Sequence, residues 1–139
     1  MIVLDTSGLL AALDQGARHH DAARAAIETD PGPYLLSPLV LAELDYLIAE
    51  RMGIAAEIRY LRDVAVGAYQ LEPISADDIE TATDVIERYV SMAIGAADAS
   101  VVVIAARART TRILTLDERH FRALRPLRGR SFRLLPADA

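Results

Sequence analysis

Five short apolar runs, separated by helix-forming stretches, constrain this chain more than any other feature. Ile2-Val3-Leu4, Tyr34-Leu35-Leu36, Tyr69-Gln70-Leu71, Ile113-Leu114-Thr115-Leu116 and Phe132-Arg133-Leu134-Leu135 have the length and composition of short strands. Between the first two lie a helix with Leu9, Leu10 and Leu13 on one face and an Ala-rich helix from His19 to Glu28, ended by Asp30-Pro31-Gly32-Pro33. Ser37 as N-cap and Pro38 at the first helical position open a helix that runs to about Arg51. Another helix covers roughly Ile54 to Val66. Ser75 with Asp78 forms a capping box for a helix from Ala76 to about Val90. The segment Ala97 to Ala108 contains a valine run, but its length and Ala-rich flanks favour helix. Strands that alternate with helices need right-handed crossovers, which gives a parallel sheet covered on both faces. With 139 residues and no repeat or linker, the chain is expected to be a single α/β domain over residues 1–139. In such sheets ligands bind beyond the carboxyl ends of the strands, where the strand order switches.

Composition narrows the chemistry available at that edge. The chain has no cysteine and no lysine; all 15 basic residues are arginine. That removes thiol nucleophiles, Cys-ligated metals, Schiff bases, the P-loop lysine and lysine-assisted aspartyl-phosphate sites. No apolar run approaches the ~20 residues of a membrane span. The N-terminus carries an acid at position 5 and no basic segment, so a signal peptide is not expected, and the reading is a cytoplasmic protein without a membrane role. A net charge of −5 speaks at first against a nucleic-acid partner. The distribution speaks differently. Residues 1–104 carry 6 Arg against 17 acids, whereas residues 105–139 carry 9 Arg against 3.

Four acids stand in positions that need explanation. Asp5 ends the first strand and Asp117 the fourth, so both fall at the ligand-binding edge, although each can equally cap the helix that follows. Glu43 shares a helical stripe with Val40, Leu44 and Leu47, where a carboxylate is costly unless paired; a rim position bonded to an arginine is the alternative. Asp98 precedes Val101 and Val102 on an apolar helix, or caps a helix beginning at Ala99. A parallel sheet can bring all four to one edge. Several carboxylates in a small volume need compensation from arginine, protonation or a metal. Clustered oxygen ligands without cysteine or paired histidine suit Mg²⁺ or Mn²⁺. Ions so held can activate water for attack on a phosphodiester. The hydroxyls of Thr6, Ser7 and Thr115 are placed to orient the acids or a bound water. His19 and His20 read as surface residues, and His120 as a possible phosphate contact.

The segments Ile-Val-Leu-Asp5-Thr-Ser, Val-Leu-Ala-Glu43-Leu, Gly-Ala-Ala-Asp98-Ala and Leu-Thr-Leu-Asp117-Glu-Arg-His-Phe121 together resemble the PIN-domain family, most closely the VapC-type toxins of toxin–antitoxin pairs. The resemblance spans nearly the whole chain, in order and at family-like spacing. It implies a five-stranded parallel sheet and an endoribonuclease dependent on Mg²⁺ or Mn²⁺. It carries over Asp5, Glu43, Asp98 and Asp117 as the acidic cluster, with Asp5 and Asp98 as direct metal ligands. It further implies a homodimer, a VapB-type antitoxin that occupies the site, and a structured RNA substrate, either tRNA or a ribosomal loop. Arg119 is a departure, because many relatives carry a further acid there. Arg112, Arg119, Arg122, Arg125, Arg128 and Arg130 are the candidates for RNA phosphates, with solvated surface or antitoxin contact as their other use. Two rival functions are an acid-cluster phospho-receiver, disfavoured by the missing lysine, and a non-catalytic PIN-like binding module, disfavoured by the complete quartet.

Overall fold

A computed structural model describes residues 1–139. The chain runs β1 (Ile2–Leu4), α1 (Thr6–Leu13), α2 (His20–Thr29), β2 (Tyr34–Leu36), α3 (Pro38–Met52), α4 (Ile54–Ala65), β3 (Gln70–Leu71), α5 (Ala76–Arg88), α6 (Ala96–Ala108), β4 (Arg112–Leu114), α7 (Glu118–Ala123) and β5 (Arg133–Leu135). A single 3-10 turn, Val90–Met92, precedes α6. All five strands are parallel, in the order β3-β2-β1-β4-β5. The chain first winds outward from β1 through β2 to β3, then returns to the other side of β1 for β4 and β5. The switch in winding therefore lies between β1 and β4, the crevice where such sheets bind ligands.

The sheet and its helices match the sequence expectation, with shifts at the ends. β3 is two residues long and exposed, because it is an edge strand without Tyr69. β4 stops at Leu114, which leaves Thr115 and Leu116 free to cross the sheet edge. Helix α6 starts at Ala96 with Gly95 as N-cap, so Asp98 lies inside its first turn and does not cap it. The Ser37 cap and the Ser75–Asp78 capping box both form. Ser37 Oγ also lies 2.6 Å from Ser100 Oγ, which ties the start of α3 to α6.

The central strands are sealed: Ile2, Val3, Leu4, Leu36, Ile113 and Leu114 are fully buried, packed with Val101, Ile104, Leu44 and Phe121 from the helices. Such continuous apolar strands are what a doubly covered parallel sheet requires. Gly8 sets the approach of α1 to β4. A Cβ there would collide with the backbone carbonyl of Leu114, so only glycine lets the first turn of α1 reach the crevice.

Candidate active site

The end of β1 delivers Asp5 into the crevice at 3% exposure. Although it occupies the N-cap position of α1, its side chain makes no cap bond. Its Oδ2 instead accepts hydrogen bonds from Ser7 Oγ at 2.8 Å and Thr115 Oγ1 at 2.7 Å. Ser7 Oγ in turn accepts from the Leu116 N–H, and Thr115 Oγ1 from the Asp117 N–H. A hydroxyl has one proton to give, and both protons go to Asp5, so the two hydroxyls orient the carboxylate rather than act as nucleophiles. Thr6 is buried beside them, its Oγ1 without a partner.

Asp98 approaches from the first turn of α6 and Asp117 from the cap of α7, where Asp117 Oδ1 accepts the His120 N–H at 3.0 Å. The capping expectation for Asp117 is thus met without removing it from the site. Its Oδ2 lies 2.8 Å from His120 Nδ1, and Asp98 Oδ2 lies 3.4 Å from the same nitrogen. Burial pushes the Asp5 carboxyl above its ordinary range; the hydroxyl bonds oppose this only in part, and the Asp117 charge adds to it. Asp98 is pushed up to about 6, first by burial and then by the Asp5 charge, with His120 opposing and Asp117 and Glu43 adding. No arginine forms an ion pair with any of these acids.

Glu43 reaches the same cleft but not as its helical stripe suggests. Val40 and Leu44 turn inward while Glu43 stays exposed at the rim, with no arginine bonded to it. A glutamate one position off the stripe's centre keeps its head in water while its neighbours fill the core. Asp45, two residues on, is half-buried beside α4. The Asp45 carboxylate facing Glu57 pushes the Glu57 carboxyl upward.

These acids surround a cavity of about 410 Å³ that is also lined by Ser7, Asp14, Leu47, Arg51 and His120. Arg51 is the one arginine on its wall. Its spacing carries the signal in the sequence: Glu43, Leu47 and Arg51 are four residues apart on one face of α3. The arginines near the C-terminus are placed unequally. Arg112 binds Asp30 at the opposite edge of the sheet, and Arg122 binds Asp138 and Glu118. Arg119, Arg125, Arg128 and Arg130 are exposed and make no ion pair, and none of them lines the cleft. His20 Nδ1 lies 2.9 Å from the Ala11 carbonyl oxygen and so joins α2 to α1.

The donors present fit a divalent cation. One ligand atom each from Asp98, Asp117 and His120 lie within 4.8 Å of one another, and His120 Nδ1 is sealed from water without a hydrogen-bond partner. Orphaned donors beside uncompensated carboxylates are the pattern expected of a cation site.

A family model, the PIN domain, matches residues 2–125. The chain belongs to the PIN-domain family. A curated relative, Ribonuclease VapC26 of Mycobacterium tuberculosis, is 45% identical over 135 residues, covering 97% of this chain and all of the relative, which places the chain among the VapC-type members. The fold also matches the crystal structure of Mycobacterium tuberculosis VapC20, described as a sarcin-ricin loop cleaving toxin. That match has a TM-score of 0.78 and 22% identity, over 84% of this chain and 90% of that one. A toxin–antitoxin complex from Klebsiella pneumoniae matches with a TM-score of 0.67 at 21% identity, over 89% of this chain and 92% of the other. Within the family frame, the acids of the quartet all line one cleft.

Proposed function

We propose that this chain is the toxin of a toxin–antitoxin pair, an endoribonuclease that uses Mg²⁺ or Mn²⁺ to cut structured RNA in the cytoplasm. The observation that carries this reading is the group of Asp5, Glu43, Asp98 and Asp117 around one cleft, with no arginine ion-paired to any of them. The near full-length similarity to a protein named as a ribonuclease supports the reaction class.

A divalent cation on these oxygens supplies the charge that activates water and steadies the departing oxygen of a phosphodiester. Asp5 and Asp98 would hold it, with Asp117 and Glu43 completing the acidic wall. The hydroxyls of Ser7 and Thr115 fix the Asp5 carboxylate before substrate arrives, so its orientation costs nothing during the reaction. Arg51 on the cleft wall is positioned to hold an RNA phosphate, and the unpaired Arg119 and Arg125 to hold the strand farther out. A loop is the fitting substrate, because selective RNA recognition targets the unstacked bases of single-stranded loops. The sarcin-ricin loop specificity described for VapC20 makes a ribosomal loop the first substrate to try, and tRNA the second.

An antitoxin of the VapB type is the expected partner. Ile54, Ile58 and Leu61 form an exposed apolar stripe along α4, the surface chemistry that a protein partner covers. A homodimer of the toxin belongs to the same reading. Cleavage of ribosomal and transfer RNA by the purified chain tests it directly. Cutting is expected with Mg²⁺ or Mn²⁺, and none with EDTA or with Asp98→Asn. Cleavage that survives both would refute the metal reaction.

A further inference from the structure

We propose that His120 is a cation ligand: its Nδ1, with one oxygen each of Asp98 and Asp117, makes a site with a nitrogen donor that favours Mn²⁺ over Mg²⁺. The inference rests on the ribonuclease reading of the cleft and adds to it Asp117 and His120 as ligands beside Asp98, together with the preferred ion.

The geometry begins at the cap of α7. Asp117 Oδ1 accepts the His120 N–H, which fixes the first turn and folds the imidazole back over the carboxylate that caps it. Nδ1 then stands 2.8 Å from Asp117 Oδ2 and 3.4 Å from Asp98 Oδ2. Despite these short distances it makes no hydrogen bond, because neither oxygen is in line with it, and it is closed to water. A charged imidazole that served only as a counter-ion would turn its N–H toward one of the two oxygens. Two ligands on adjacent corners of a six-coordinate ion, each ~2.1 Å from it, are about 3 Å apart. The two observed spacings bracket that value. The three atoms are therefore spaced as co-ligands can be, and the direction of Nδ1, not its distance, sets it apart from a hydrogen-bonded pair.

The neighbouring position supports the assignment. Arg119 is exposed and does not line the cleft, whereas His120, one residue on, does. The inward-facing donor on this turn is thus an imidazole. Carboxylate oxygens suit Mg²⁺ and Mn²⁺ alike, but an imidazole nitrogen shifts preference toward transition metals.

Mn²⁺ titrated into the full chain, followed by pulsed electron paramagnetic resonance, reads the ligand atoms themselves. A ¹⁴N coupling on the bound Mn²⁺ is expected in the native chain and is lost in His120→Ala. In His120→Asp the ion stays bound but the coupling disappears. Calorimetry should show the Mn²⁺-to-Mg²⁺ affinity ratio falling by about tenfold in His120→Ala. Bound Mn²⁺ with oxygen couplings only in the native chain overturns the assignment of His120 and leaves the ribonuclease reading standing. No bound cation at all overturns both. The native spectrum decides the matter even if a variant fails to fold.

Discussion

Asp5 and Asp30 are equally hidden, each 3% exposed, at opposite ends of the sheet. Asp30, before β2, receives the Met1 ammonium at 2.9 Å, the Arg112 guanidinium at 3.0 and 3.1 Å, and the Gly32 N–H at 2.8 Å. Burial alone would raise its pKa, but these donors outweigh burial and hold the carboxyl below its ordinary range. Asp5, after β1, receives two neutral hydroxyls and faces further acids, and its carboxyl is held above that range. The chain thus places its own cations around the carboxylate that ties the sheet together. At the other end it leaves negative charge for an ion from outside. Burial of an acid does not by itself separate a structural site from a functional one; the charge of its partners does.

Substitutions at the two ends should break this symmetry in opposite ways. The largest effect is expected at Asp5→Asn, which keeps an oxygen for the Ser7 and Thr115 hydroxyls but removes a cation ligand. RNA cleavage should fall by about 10³-fold, equivalent to ~4 kcal/mol. The metal-free melting temperature should stay level or rise, because a poorly compensated buried charge is gone. At the other end, Arg112→Met leaves Asp30 short of its main side-chain cation and should cost about 3 kcal/mol of stability in denaturant unfolding. Cleavage per folded molecule should be unchanged. Gly8→Ala forces α1 away from the Leu114 carbonyl and should cost about 2 kcal/mol while displacing Ser7, so both stability and cleavage fall.

The smallest effect concerns pH. Asp98 titrates near 6 when folded and near 3.8 when unfolded, so the folded state binds more protons between those values. Stability of the EDTA-treated chain should therefore decline as pH rises from about 4 to 6. The decline should be about 1–2 kcal/mol, less than the full shift, since part of the carboxylate faces water. Asp98→Asn should abolish it. Asp30 acts with the opposite sign: its contribution is present at neutral pH and is lost as pH falls below about 3.8 and through its lowered folded value. Chemical denaturation across pH 3–7 separates the two.

The asymmetry was only half legible in the sequence. Asp5 and Asp117 follow apolar runs that their alternation with helices marks as strands, and parallel topology brings strand ends to one edge, so the acidic cluster is legible in the sequence. Ser7 and Thr115 were legible for the same reason, as neighbours of those ends. The pairing of Arg112 with Asp30 spans 82 positions, and no local pattern reports it. Charge distribution therefore marked Arg112 for RNA when it serves the fold. The same limit applies to Arg122, whose Asp138 partner lies beyond β5. Helical period puts Glu43 toward the cleft side of α3, but it resolves the face and not the depth, and the glutamate is exposed at the rim. Spacing alone does not single out Arg51, because a lone arginine two turns along an amphipathic helix has the pattern of any solvated residue, and only the fold puts it on the cleft wall.

Thermal unfolding with and without added Mn²⁺, for the native chain and for Asp98→Asn, tests the central claim most directly, that the uncompensated end of the sheet is completed by a cation. A ligand at a hundred times its dissociation constant adds about 2.7 kcal/mol to the folded state. The native chain should therefore melt several degrees higher with Mn²⁺, and Asp98→Asn should not respond. An equal response in both, or none in the native chain, would contradict the account.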